Sequence, residues 1–195
     1  DGLAWMWTGK TQNSLFGFFG RLNYNWHDML FVSASIRREA STKFGVKSRW
    51  GNFPSASIAW EMMSADFMKP ASHVLKSLKP RFSYGVTGRE PGDSYQSLAT
   101  YATRYQYFMD GEWVVGYAPD KNANPILSWE KSESYNIGLD LDFWGRLRGS
   151  IEYYIRRSQD LLYNYTAPQP PYVHPSILVN VGTTSNRGVE ISLNG

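Results

Sequence analysis

From Ser134 to Phe143 apolar and polar residues alternate without interruption. Tyr135, Ile137, Leu139, Leu141 and Phe143 fall on one side, and Ser134, Asn136, Gly138, Asp140 and Asp142 on the other. A period of two is the signature of a β-strand, and it recurs about seven times along the chain. In each recurrence the large apolar residues share their face with no charge in mid-strand. One side of the resulting sheet meets an apolar medium and the other meets water.

Hairpins of this kind build either the core of a β-sandwich or the wall of a membrane barrel, and composition helps to choose. The chain has 195 residues, enough for one large β-domain. Aromatic residues make up 16%, with 13 Tyr and 8 Trp, yet the mean hydropathy is −0.43. A transmembrane barrel combines these properties, because half of each strand faces water and the lipid boundary favours Tyr and Trp. No run approaches the ~18 apolar residues of a spanning helix, so any membrane crossing is by strands.

Other bulk properties exclude function classes. With no Cys there is no disulfide framework and no cysteine nucleophile or metal ligand. The net charge of +3 is mild and the Lys and Arg are dispersed, which argues against a nucleic-acid partner. His27, His73 and His174 lack metal-ligand spacing. Asp140 with Asp142, and Glu130 with Glu133, have the proximity of paired glycosidase carboxylates, but a hydrated polar wall accounts for them more simply. No phosphate loop, dinucleotide fingerprint or nucleophile elbow occurs. The expectation is no catalytic residue, no metal and no cofactor.

The alternation places strands at Phe18 to Trp26, Leu30 to Arg37, about Gly51 to Trp60, Lys79 to Thr87, Ser134 to Phe143, Leu147 to Arg156 and Val189 to Asn194. Residues Glu61 to Ser77 break the pattern and predict one or two helical turns, the second capped by Ser72. The connections alternate in length. Two-residue turns follow the first and fifth strands and the Glu61 to Ser77 connector follows the third, whereas 39–49, 88–129 and 158–185 are open, polar or very long and share one rim. Trp26, Trp60 and Trp144 come out at the opposite, short-turn rim, where an interfacial aromatic girdle belongs. Short turns at one end and long loops at the other are the plan of an outer-membrane barrel.

Several stretches in the same order then resemble the barrel of SusC/RagA-type TonB-dependent outer-membrane transporters. They are Lys43-Phe44-Gly45, Arg49 to Ser55, Ser83 to Gly88, Asn124-Pro125, Trp129-Glu130-Lys131, Tyr135 to Asp140, Asp160-Leu161-Leu162, Asn180-Val181-Gly182 and Gly188-Val189-Glu190. The resemblance implies an all-β fold: an antiparallel transmembrane barrel segment of about seven meandering strands from a barrel of ~22. It also implies the outer membrane of a Gram-negative, Bacteroidetes-like cell. Import of glycans, or of peptides, would be capped by a SusD-like lipoprotein and driven by a TonB complex. Residues 1–195 lack the family's signal peptide, plug domain and closing strands, and so read as a partial barrel domain. The N-terminal Asp1-Gly2-Leu3-Ala4-Trp5 has none of the features of a leader.

Within the longest connection, Tyr95, Tyr101, Tyr105, Tyr107, Trp113 and Tyr117 are the candidates for substrate or partner contact, because aromatic faces suit sugar rings. Packing of the loop against itself or its cap is the competing explanation. Two soluble alternatives stand beside the transporter wall, a β-sandwich carbohydrate-binding module and a β-rich glycoside hydrolase. Either would bury Tyr135, Ile137, Leu139 and Leu141, which a transporter leaves exposed.

Overall fold

The computed structural model describes residues 9–195, apart from the side chain of Arg104; Asp1 to Trp5, read above for a leader, lie outside the described residues. Seven antiparallel strands form one sheet: β1 (Leu15–Trp26), β2 (Leu30–Ser41), β3 (Trp50–Trp60), β4 (Leu75–Arg89), β7 (Glu130–Phe143), β8 (Leu147–Gln159) and β11 (Thr183–Asn194). They pair in that order, as a meander with β1 and β11 at its edges. The two long connections carry hairpins of their own, β5 (Tyr101–Met109) with β6 (Glu112–Pro119), and β9 (Leu162–Thr166) with β10 (Ser176–Asn180).

Register converts the alternation into two surfaces. Tyr24, Val32, Ile58, Phe82, Ile137, Tyr153 and Val189 are successive cross-strand partners. All seven side chains are 36–62% exposed. One residue along, the row reads Asn23, Ser33, Ser57, Ser83, Asn136, Tyr154 and Gly188. A slip of one residue on any strand would exchange the two rows, so a two-medium environment enforces this register.

Nothing among the described residues packs as a second layer over the apolar row. Tyr135 and Ile137 are 40% and 58% exposed, and Leu139 and Leu141 are half-buried. Both soluble alternatives need these side chains covered. From Tyr135 to Phe143 the apolar stripe runs ~27 Å along β7 at ~3.4 Å per residue. Tilted by ~40°, it spans ~20 Å of depth, close to the ~25 Å apolar band of an outer-membrane barrel.

The polar face is held by ion pairs. Arg81 bonds Asp140 through Nε (3.1 Å) and Glu152 through Nη2, and Asn136 donates to the other oxygen of Glu152 (3.0 Å). Gly138 lies opposite Arg81, and a Cβ there would come within 2.9 Å of the guanidinium. Arg148 Nε donates to Asp142 at 3.1 Å. Asp140 and Asp142 are thus committed to different cations.

At one rim the connections are tight. His27 and Asp28, and Trp144 and Gly145, turn with positive φ, and Asn25 bonds Asp28 (2.6 Å). The Glu61 to Ser77 connector has the expected helical turns, but their caps and the end of the connector differ from expectation. It forms two 3-10 turns, Met62–Ser64 and Asp66–Ala71. Glu61 is the N-cap of the first, accepting from Met63 N, and Ser72 closes the second by donating to Lys69 O. Strand β4 already begins at Leu75, because Glu61 also accepts from Ser77 Oγ and Leu78 N and so pins that backbone extended. Trp26, Trp60 and Trp144 all lie at this rim, 36–58% exposed.

Loops 42–49, 90–129 and 160–182 leave the opposite rim together, as the parity of the connections requires. Strand β2 runs to Ser41, beyond the expected start of its loop at Glu39.

In the intact barrel, Leu139→Arg puts a cation on the apolar face and should weaken membrane assembly by about 2–4 kcal/mol near the bilayer midplane. Asp140→Asn, on the wet face and with Glu152 still holding Arg81, should cost under ~1 kcal/mol. Equal effects of the two on folded barrel yield in reconstituted bilayers would contradict the assignment of faces.

Candidate binding rim

The sheet itself has almost no buried core. The buried apolar cluster sits at the long-loop rim: Phe44, Phe53, Leu127 and Trp129, with Val86, Leu162 and Leu178 packed against it. These seven residues come from β3, β4, β9, β10 and two loops. The Trp129 ring lies 4.7 Å from Phe44 and 5.3 Å from Phe53 between centroids, and its Nε1 donates to Arg49 O at 2.9 Å.

Pairing of β3 with β4 stops at Ser55 and Gly85. Beyond that point the Phe53 ring fills the space that Cβ atoms at Gly51 and Gly88 would occupy, 2.5 and 2.1 Å from the Phe53 Cζ. Gly45 passes so close to Pro125 that a Cβ would fall 1.8 Å from the Pro125 carbonyl oxygen. Side chains at these three glycines would force the loops apart.

Polar clasps complete the rim. Lys43, buried, donates to Pro91 O (2.8 Å) and Gly92 O (3.1 Å) and pairs with Glu90 (3.0 Å), which joins the β2–β3 loop to the segment after β4. Asparagines then lash that segment to the β9–β10 hairpin. The Asn122 amide donates to His174 O and Ser176 O, and that of Asn124 to Leu178 O, at 2.7–3.0 Å. Asn180 reaches back, accepting from Ser128 N and donating to Ser128 O. Carbonyls at alternate residues along β10 are thereby occupied, so that edge offers little to another chain.

Glu130, also buried, accepts from Leu162 N at 3.0 Å. Lys121 bonds Ser94 O, and burial pulls its ammonium below the usual lysine range against the opposing pull of Asp120 and Asp93. A cavity of about 160 Å³ remains between the two long loops, lined by residues such as Glu90, Asp93, Gln96 and Asn164.

The aromatic candidates divide. Asp110 and Gly111, with φ of 53° and 88°, make the two-residue turn of the β5–β6 hairpin. An Asp-Gly turn between strand-forming residues is a strong hairpin signal, and it marks structure that the reading of 88–129 as a plain connection passed over. Cross-strand register puts Tyr101, Trp113 and Tyr117 on one face, with Phe108 5.5 Å from Trp113, and Tyr105 and Tyr107 on the other. All five named candidates on the hairpin are 49–74% exposed. Tyr95 precedes the hairpin in the chain, with φ of 63° and its hydroxyl accepting from Gln12 N at 2.8 Å.

Most stretches that carried the family resemblance meet in this rim: Lys43 to Gly45, Phe53, Gly88, Asn124-Pro125, Trp129-Glu130, Leu162 and Asn180. None stood out individually as a site residue. The signal available was their glycines and buried-type aromatics in otherwise polar loops.

Phe53→Ala should cost about 3–5 kcal/mol of local stability through the cavity it leaves among Phe44, Leu127 and Trp129. Lys43→Met strands Glu90 and two carbonyls. Both substitutions should speed protease cleavage within 90–129 on whole cells, while the strands stay protected. Unchanged cleavage would mean that the rim cluster does not hold the loops.

Comparison with known proteins agrees with this architecture. Residues 6–195 match the family described as TonB dependent receptor-like, beta-barrel. The TonB-dependent receptor SusC of Bacteroides thetaiotaomicron is 34% identical over 188 residues, 94% of this chain and 19% of that protein. A TonB-dependent receptor of Formosa agariphila is 35% identical over 187 residues, 95% of this chain and 17% of its own length. Among solved structures, the RagAB peptide transporter superposes with a TM-score of 0.82 at 28% identity, over 93% of this chain and 19% of that one. The siderophore receptor PirA of Pseudomonas aeruginosa shares the fold alone, with a TM-score of 0.59 at 14% identity. The chain spans about a fifth of the length of the relatives it matches. It is a stretch of outer-membrane barrel wall, and it belongs to the TonB dependent receptor-like, beta-barrel family.

Proposed function

We propose that the chain forms part of the wall and outer vestibule of a TonB-dependent importer that takes up glycans or oligosaccharides. A SusD-like lipoprotein caps the vestibule, and a TonB complex supplies energy through parts of the protein outside this chain. The observation that carries this reading is the β5–β6 hairpin. The clasped loops at its base hold it at the rim, and its aromatic faces stay uncovered.

Ordering an exposed hairpin costs chain entropy that its own few contacts do not offset, which is the pattern of a surface completed by a ligand or a partner. Tyr101, Trp113 and Tyr117 offer flat apolar faces on which sugar C–H groups pack. Tyr105 and Tyr107, on the opposite face, are then free to meet the lipoprotein. Peptides are the second substrate class, because a 28%-identical structural relative is a peptide transporter. The carboxylates of the wet face, already held by Arg81 and Arg148, support transport over hydrolysis.

Trp113→Ala with Tyr117→Ala should lower uptake or lipoprotein co-purification several-fold at normal barrel abundance in the outer membrane. Growth on candidate glycans and peptides, measured beside pull-down of the lipoprotein, separates the two roles. Unchanged growth and unchanged co-purification would remove the hairpin from the contact surface.

A further inference from the structure

On the wet face most cations have acidic partners, Lys79 with Glu61, Arg81 with Asp140 and Glu152, and Arg148 with Asp142, the exceptions being Arg156, which donates to Ser134 Oγ, and the exposed Arg21. On the apolar face, toward the long-loop rim, they do not. Lys131, Arg157 and Arg187 are exposed and make no hydrogen bond or ion pair among the described residues. They sit on the successive strands β7, β8 and β11.

Register makes them a diagonal. Lys131 pairs with Gln159 and Arg157 with Glu133, which sets Lys131 and Arg157 two residues out of step. Arg157 pairs with Ser185 and Arg187 with Ile155, which repeats the offset. Such diagonal neighbours lie ~7–8 Å apart, close enough for long side chains to converge on one group. Glu133 is the only carboxylate on this face of the three strands, so the patch keeps a net positive charge.

Depth identifies the occupant. Tyr84 and Tyr135, with rings 4.9 Å apart, mark the upper limit of the apolar stripe, and Glu133 with Arg157 lies one face position further out. Long cationic side chains at that height extend to the headgroup level while their stems rest on apolar surface. The rim is the one from which the long loops leave, the extracellular side of an outer-membrane barrel. Whatever pairs with these cations therefore lies in the outer leaflet. Guanidinium groups clustered there match phosphate, which accepts bidentate bonds.

We infer that Lys131, Arg157 and Arg187 form a site on the outer wall of the barrel for the phosphate of an outer-leaflet lipid headgroup. The lipid is held from the side, independently of the vestibule and of any imported substrate. Glu133 opposes binding and limits its strength.

The test uses the intact barrel in phosphatidylcholine nanodiscs doped with bisphosphorylated lipid A, with native mass spectrometry counting the lipid A retained after extraction. Joint substitution of Lys131, Arg157 and Arg187 by Gln should cut retention at least tenfold. Glu133→Gln should raise it, a gain that misfolding cannot produce, and Arg156→Gln, on the wet face, should leave it unchanged. Retention that survives the triple substitution would overturn the site, as would equal retention of dephosphorylated lipid A. Displacement of the lipid by inorganic phosphate alone would assign the site to a free anion and overturn the lipid assignment, and co-purification of an acidic protein in place of lipid would do the same.

Discussion

A strand that crosses a bilayer satisfies its backbone amides only against another strand, because the hydrocarbon offers no hydrogen-bond partner. Everything else in this chain follows from that constraint. The meander from β1 to β11 supplies continuous ladders, and register then decides what each surface becomes. With the row from Tyr24 to Val189 turned toward lipid, the row from Asn23 to Gly188 is turned toward water with no further choice. The paired charges Arg81, Asp140 and Glu152 are a consequence. Side chains of that kind on the apolar rows would meet hydrocarbon.

Because both faces of the sheet serve a solvent, neither is available for a core. The hydrophobic cluster that a soluble domain would place between layers is displaced to the long-loop rim, where Phe44, Phe53, Leu127 and Trp129 close over one another. That displacement has a functional side. A rim held by packing and by the Lys43 and asparagine clasps presents the β5–β6 hairpin in a defined place, and binding by a preorganised surface loses less entropy than binding by free loops. Stability and recognition are therefore concentrated at the same end of the molecule.

The apolar and polar faces were legible in the sequence because a period of two is local: Ser134 to Phe143 displays it within ten residues. The rim was not legible, since its contacts join residues as far apart as Arg49 and Trp129, and no periodicity reports such a distance. The β5–β6 hairpin was missed for a different reason. It is solvated on both sides, its aromatics occupy both faces, and its register shifts between Thr103 and Tyr105, which erases the alternation. Only the Asp110-Gly111 turn betrayed it. Likewise Ser72 has the chemistry of an N-cap, but Glu61 takes that role because its carboxylate reaches both the 3-10 turn and the start of β4.

The distribution of cations has the same origin as the two faces. On the wet side a cation shares its surface with carboxylates two or three positions away, and pairing within the chain is available. On the lipid side carboxylates are nearly absent, since a carboxylate in hydrocarbon is costly and one at the headgroup level is repelled by lipid phosphate. Lys131, Arg157 and Arg187 are for that reason left without partners among the described residues, as the apolar row is left without a covering layer among them. In both cases the missing neighbour belongs to the membrane, so the bilayer completes the electrostatics of this wall as well as its hydrophobic packing.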